Sequence, residues 1–172
     1  MILSATPKWS APALRPYLPK DLAILLRIVR ASIEQLGIED YSESQVKAWI
    51  EAFDDEPAFA KRLESGLTLV ATLEGLPAGF IALKGKDQID LLYVAPGVAR
   101  RGVATTLVDA IEKLTQARGV AALNVEASDC AVPLFSRLGY EPQRRSSVSL
   151  GDEWLANTSM TKTLGASPAP FH

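Results

Sequence analysis

The sequence predicts an α/β chain of the α+β kind: a mixed, mostly antiparallel central sheet flanked by helices, with one parallel strand pair at its centre. Three observations carry this. Apolar residues recur at helical spacing as far as Leu63 and then switch to alternation. The alternating segments are joined by the turns Glu74-Gly75-Leu76-Pro77 and Lys84-Gly85-Lys86-Asp87, connections so short that they favour antiparallel neighbours. A long helical pattern then separates Gln88–Val94 from Val120–Glu126. A strand reached through a helical crossover lies parallel to the one before it.

Taken in order, residues 1–12 show no periodicity and read as an extension. Leu14 to Leu18 reads as an edge strand, because Pro16 cannot donate to a central ladder. Asp21 is placed to cap a helix whose apolar stripe is Leu22, Leu25, Leu26, Val29, Ile33 and Leu36, with Gly37 as its stop. Ser42 and Gln45 have capping-box spacing ahead of Val46, Trp49, Ile50 and Phe53. Pro57 opens a short helix carrying Phe59 and Leu63.

Strands are expected at Leu67–Leu73, Ala78–Leu83 and Gln88–Val94. A helix from Gly102 to Arg118 follows, with Val103, Leu107, Ile111 and Leu114 inward and Gly119 at its end. After the strand Val120–Glu126, a shorter helix spans Ala131 to Leu138. Pro133 lacks an N–H and so belongs in its first turn, with Asp129 or a neighbour as cap. Strands near Glu141–Ser149 and Ala156–Thr163 close the fold, giving one domain over 13–164 and a loose tail over 165–172.

At 172 residues and 48% hydrophobic, the chain suits a single domain with a sizeable core. A formal charge of −2 lacks the basic excess of a nucleic-acid binder, so no nucleic-acid partner is expected. A lone cysteine, Cys130, excludes an intramolecular disulfide and suits a reducing compartment. No apolar run approaches the roughly 18 residues of a membrane span, and Met1-Ile2-Leu3-Ser4 lacks a basic leader, so a cytoplasmic location away from membranes is expected. The lone histidine, His172, sits in the tail, which argues against Ser–His catalysis and His-based metal sites; no metal is expected.

The richest chemistry lies in Arg100-Arg101-Gly102-Val103-Ala104-Thr105, between a strand and a helix. A helix start leaves N–H groups without internal partners and carries about half a positive charge, so it attracts phosphate. Gly102 removes the Cβ that would block an anion, and Arg100 and Arg101 add mobile charge. With Leu92-Tyr93-Val94-Ala95-Pro96 before it and Leu134-Phe135-Ser136-Arg137-Leu138-Gly139-Tyr140 after it, this loop resembles the pyrophosphate loop of the GNAT superfamily, the acyl-CoA-dependent N-acetyltransferases. The resemblance, to a small bacterial-type single-domain member, runs from Leu14 to Leu164. The family's loop reads Gln/Arg-x-x-Gly-x-Gly/Ala, filled here by Ala99, Gly102 and Ala104, so Ala99 departs from the pattern.

The resemblance implies the GNAT fold, with the parallel pair splayed around the pantetheine arm of acetyl-CoA. It implies that Leu92, Tyr93 and Val94 run beside the arm, with the backbone of Leu92 and Val94 pairing with its amides. The N–H groups from Arg101 through Gly102, Val103, Ala104 and Thr105 would cradle the pyrophosphate, and Arg100 and Arg101 would compensate electrostatically for Ala99. Arg137 would reach the remaining phosphate, while Ser128, Ala131 and Phe135 would flank the arm. Tyr41, Trp49 and Tyr140 would contact the acceptor. Glu39-Asp40 and Asp54-Asp55-Glu56, on the acceptor side, could attract a cationic amine.

A general base must deprotonate the incoming ammonium. Asp90 is the first candidate: counting back from Val94, it shares a strand face with Gln88 and Leu92. Glu126 on the parallel strand is the second, or it holds the ammonium. The family's Asn and its Tyr seven residues later, the donor to the thiolate, are replaced by Ser128 and Phe135. Phenylalanine donates no proton, which leaves Tyr140, Tyr41, Ser128 or solvent. Cys130 reads as a small filler rather than a nucleophile.

The expected function is transfer of acetyl from acetyl-CoA to a primary amine of a small molecule or peptide, by direct attack in a ternary complex. A non-catalytic acyl-CoA-binding or regulatory module is the alternative, motivated by Phe135 and Ala99. A nucleotide-binding fold fits less well, because no Gly-Lys-Ser/Thr follows the loop. Edge strands near the C-terminus would allow a homodimer.

Overall fold

The computed structural model describes residues 11–98 and 100–165. Residues 1–10 of the extension, Ala99 of the loop, and 166–172 with His172 lie outside the described residues. Strand β1 (Ala13–Pro16) is followed by helices α1 (Leu22–Leu36), α2 (Glu43–Glu51) and α3 (Glu56–Glu64). Next come β2 (Thr68–Leu73), β3 (Leu76–Lys84), β4 (Gln88–Val94), α4 (Val103–Ala117), β5 (Ala122–Ser128), α5 (Val132–Arg137), β6 (Glu141–Leu150) and β7 (Glu153–Thr163). They form one seven-stranded sheet in the order β1-β2-β3-β4-β5-β7-β6, antiparallel except for the β4–β5 pair.

The apolar stripe of α1 explains its position: Leu25, Leu26, Val29 and Ile33 are at most 2% exposed and pack with Val70, Phe80, Ala82 and Leu91 of the sheet. Deleting one such side chain to alanine typically costs about 2–5 kcal/mol. Helices α1–α3 cover this face. The opposite face packs Ile81, Leu83, Ile89, Leu123 and Val125 against Val103, Leu107 and Ile111 of α4 and Phe135 of α5. The β2–β3 hairpin turns in two residues, Glu74 at φ 52° and Gly75 at φ 82°. Positive φ at both central positions matches the twist of the flanking strands.

The Ser42–Gln45 capping box is present in full: Gln45 N–H donates to Ser42 Oγ at 3.2 Å and Ser42 N–H to Gln45 Oε1 at 2.8 Å. Asp21 and Ala131 hold the N-cap positions of α1 and α5, but neither makes a side-chain capping hydrogen bond. A tight turn over Pro19–Asp21 points the Asp21 carboxylate back, where it accepts from Leu18 N–H at 2.9 Å and from Arg15 at 2.7 and 2.8 Å. Asp129 pairs instead with Arg145 across from β6, at 3.0 and 3.1 Å.

Two irregularities shape the centre of the sheet. Opposite β3, Ala82 pairs with Leu91 and Leu83 with Ile89, so Asp90 is an extra, bulged residue. The bulge breaks the alternation. Ile89, Leu92 and Val94 pack on the α4 side, whereas Leu91 and Tyr93 pack with α1–α3. Asp90 therefore does not share a face with Leu92, as unbroken alternation would require; it meets α3 instead. The second irregularity is that β4 and β5 pair only at Gln88–Asn124 and Ile89–Val125. Beyond these, β5 stays bonded to β7 as far as Ser128 while β4 stays with β3 as far as Val94, so the parallel pair splays open.

Candidate active site

The splay is the neck of a cavity of about 380 Å³. Its walls come from both faces of the sheet: Gly102, Val103, Leu134 and Phe135 on the α4–α5 side, and Ser32, Ile33, Leu36, Trp49 and Tyr93 on the α1–α2 side. It runs through the sheet.

Helix α4 opens this cavity at one end. Gly102 caps it at φ 78°, and a Cβ added there would meet nothing within 4 Å. Open space over a helix mouth suits a bulky anion, because the first N–H groups have no helical partner. The first closed turn is Thr106 N–H to Gly102 C=O at 2.9 Å. Val103, Ala104 and Thr105 line the cavity together with Arg100, itself at φ 69°. The Arg101 N–H is already used, donating to Val98 C=O at 3.3 Å, and Arg101 does not line the cavity. Arg137, the last residue of α5, lines it, as do Leu92, Val94, Ser128, Ala131 and Phe135.

Asp90 and Glu126 line the cavity where the strands part. Arg62 of α3, which sequence reasoning missed, grips Asp90: Nε donates to one carboxylate oxygen at 3.1 Å and Nη2 to the other at 3.0 Å. The same guanidinium lies 5.8 Å from the Phe53 ring centroid. Glu126 accepts from the Ser159 hydroxyl of β7, at 2.8 and 2.7 Å to its two oxygens. A hydroxyl has one proton, so most of the lone pairs of Glu126 stay available.

The aromatic wall is tied together. Trp49 Nε1–H donates to the Tyr93 hydroxyl at 3.2 Å, and Tyr93 packs edge-on to Phe53 at 5.8 Å. Burial pushes Tyr93 ionisation far up, opposed by the Trp49 hydrogen bond. Cys130 also lines the wall, with its thiol 3.6 Å from Leu36 C=O. Burial, then Asp40, raises it to about 12, so the helix start does not make it a thiolate.

Tyr41 and Tyr140, the expected acceptor contacts, are not among the residues that line this cavity. The Tyr41 hydroxyl donates to Ala156 C=O at 2.6 Å and accepts from Asp129 N–H at 2.8 Å, locking α2's approach to β7. Burial pushes its pKa up to about 12. Tyr140 is 2% exposed and stacks edge-on against Phe135 at 5.0 Å, so Phe135 stands between it and the cavity. Burial, then Glu112, raises its ionisation too. Both hydroxyls are removed from the list of donors to a leaving thiolate. Among the described residues no cluster of three or more His, Cys, Asp or Glu could hold a metal, and no helix is long and apolar enough to cross a membrane.

Residues 38–164 match the family model of the acetyltransferase (GNAT) domain. The Escherichia coli K12 protein named "Uncharacterized N-acetyltransferase YafP" is 31% identical over 147 residues, spanning 86% of this chain and 93% of its own. A crystal structure from Rhodopseudomonas palustris, described as a GCN5-related N-acetyltransferase and as an aminotransferase, class II, is 56% identical. It superposes with a TM-score of 0.88 over 90% of this chain and 97% of its own. The PaiA N-acetyltransferase of Thermoplasma acidophilum, solved in complex with coenzyme A, shares the fold at a TM-score of 0.73 and 18% identity, over 90% of this chain and 99% of its own.

Proposed function

The chain belongs to the GNAT acetyltransferase family, and on that basis we propose that it transfers acetyl from acetyl-CoA to a primary amine of a small molecule or peptide, within a ternary complex in the cytoplasm. The observation that carries this is a single cavity crossing the sheet, with a helix mouth at one end and two carboxylates at its neck. Such a passage lets two reactants enter from opposite faces and meet in the splay. Holding them there can supply about 7–11 kcal/mol of the barrier in favourable systems.

The residues present fit acetyl-CoA. The N–H groups of Val103, Ala104 and Thr105, with Arg100 and Arg137, would hold its phosphates, and the free backbone edges of Leu92 and Val94 would meet its amides. When bound, it supplies the activated acetyl thioester. The chain's own work is proton handling and orientation. Asp90, whose two oxygens are already held by Arg62, is a fixed anion that steers the ammonium into the gap. Glu126 takes the amine proton through a water, since no cation competes for its lone pairs among the described ion pairs. Two protons leave the ammonium: the first passes through the water to Glu126 before attack, and the second is released as the C–N bond forms and the C–S bond breaks. That second proton reaches the departing CoA thiolate through solvent or relayed by the Ser128 hydroxyl.

Steady-state release of CoA across an amine panel tests this. We expect turnover with at least one amine, a drop of about 10²–10³-fold in kcat for Glu126→Gln, and a raised amine KM for Asp90→Asn. Acetyl-CoA binding without turnover on any amine or peptide would favour the non-catalytic module instead, which Phe135 in place of a tyrosine and the substituted Ala99 motivate.

A further inference from the structure

A second cavity, of about 440 Å³, is lined by Lys84, Gly85, Gln88, Ile89, Asp90 and Glu126. It shares Ile89, Asp90 and Glu126 with the cavity that crosses the sheet, so it opens from the neck where the carboxylates sit. Strand alternation places Lys84 on the same face as the two acids. Ala82 packs with α1–α3 and Leu83 on the α4 side, so the next residue returns to the α1–α3 side. Glu126 alternates with Val125, which packs on the α4 side, and reaches the same face.

Two of the charges on this floor have no ion-pair partner among the described residues. Asp90 is matched by Arg62, but Glu126 meets only a neutral hydroxyl, and Lys84 is in none of the ion pairs among the described residues. What remains, among the residues that line the cavity, is one carboxylate and one ammonium. A simple monoamine would answer the carboxylate and leave Lys84 unmatched, and a polyamine would be repelled by it. A molecule with an amine and an anionic group a few bonds apart answers both.

We propose that the second cavity is the subsite for the anionic end of a zwitterionic acceptor, an amino-acid-like primary amine. Its amino group lies at Asp90 and Glu126, and its carboxylate is met by Lys84 with the Gln88 amide beside it. The proposal rests on the N-acetyltransferase reading and narrows its acceptor.

The test uses matched sets of α- and ω-amino acids, their carboxamides and the corresponding decarboxylated amines, with dipeptides of the same spacing included to separate free amino acids from peptides. The wild-type protein should use the acids about fivefold better in kcat/KM than the amides, the scale of one partly exposed ion pair. Lys84→Met should equalise acid and amide, and Lys84→Glu should reverse the order. Arg144 lies opposite Ser159 on β6, so Arg144→Gln is the control and should leave the preference intact. Equal use of acid and amide by the wild type, or a preference that survives Lys84→Met or vanishes in Arg144→Gln, would overturn the proposal. If no amine is turned over, the transferase reading fails separately. The subsite is then judged by calorimetry of the acids and amides on the CoA-saturated protein, with the same ordering expected and equal or absent binding counting against it.

Discussion

Arg62 and Asp90 are joined by two parallel hydrogen bonds across the seam between α3 and the bulge of β4, 28 residues apart in sequence. The bulge turns the Asp90 carboxylate toward α3, and the Phe53 ring underneath narrows the orientations open to the guanidinium. A fork-to-fork arginine pair fixes direction as well as charge. Asp90 is thus held in one orientation at the neck of the cavity.

Loss of Arg62 should therefore disturb the acceptor side and spare the cofactor side. Arg62→Met is expected to raise the amine KM severalfold, with acetyl-CoA affinity unchanged and Arg62→Lys intermediate. Because both partners are partly exposed, their coupling in a double-mutant cycle on stability should be only about 0.5–1 kcal/mol. Unaltered amine kinetics in Arg62→Met would remove the pair from the site.

At the helix mouth, Gly102→Ala should cost about 1–2 kcal/mol of stability, because an alanine there must adopt a left-handed conformation. Gly102→Glu adds a carboxylate where the open space suits phosphate. We expect it to weaken acetyl-CoA binding by at least about tenfold while thermal unfolding stays cooperative. Calorimetric titration measures this, and an unchanged Kd would place the phosphates elsewhere.

A pH signature follows from Asp21. Its hydrogen bonds with Arg15, aided by the Leu18 N–H and opposed by burial, hold its carboxyl below the ordinary range. The stabilisation is present above the unfolded pKa of about 3.9 and is lost as pH falls through the lower, folded value. Asp21→Asn should cost about 1–3 kcal/mol at pH 7. The gap from wild type should begin to narrow as pH falls below about 4 and be smaller at pH 3 than at pH 7, as read from urea unfolding at the two pH values.

Cys130 should be sluggish. With its thiol raised to about 12, it is neutral at pH 8. Iodoacetamide should modify it at least about tenfold more slowly than a free small-molecule thiol, and Cys130→Ser should retain turnover. Labelling at the rate of a free thiol would contradict the burial of this group.

Much of the fold was legible because its signals are local. The α1 stripe, the Ser42–Gln45 box, the Glu74–Gly75 hairpin and Gly102 ahead of α4 each follow from residues within a turn or two of one another. The cavity walls were legible in large part for the same reason, since they hang on the β4–loop–α4 segment. The bulge at Asp90 has no local signature. It is set by how β3 pairs with β4, and missing it put Asp90 and Leu92 on one face. Arg62 was invisible because its partner is brought to it only by folding. The bonding of Tyr41 was not legible, because its hydroxyl partners, Ala156 and Asp129, lie 115 and 88 residues away. Asp21 stands at the N-cap position as read, but its carboxylate turns to Arg15 and the Leu18 N–H, partners that nothing in the sequence favours over the helix N–H groups.

A crystal structure of the protein with CoA tests the central claim most directly. Pyrophosphate oxygens within about 3.2 Å of the Val103, Ala104 and Thr105 nitrogens, with the sulfur lodged between Asp90–Val94 and Glu126–Ser128, is the predicted result. Phosphates seated away from the start of α4, or a sulfur outside the gap between β4 and β5, would contradict it.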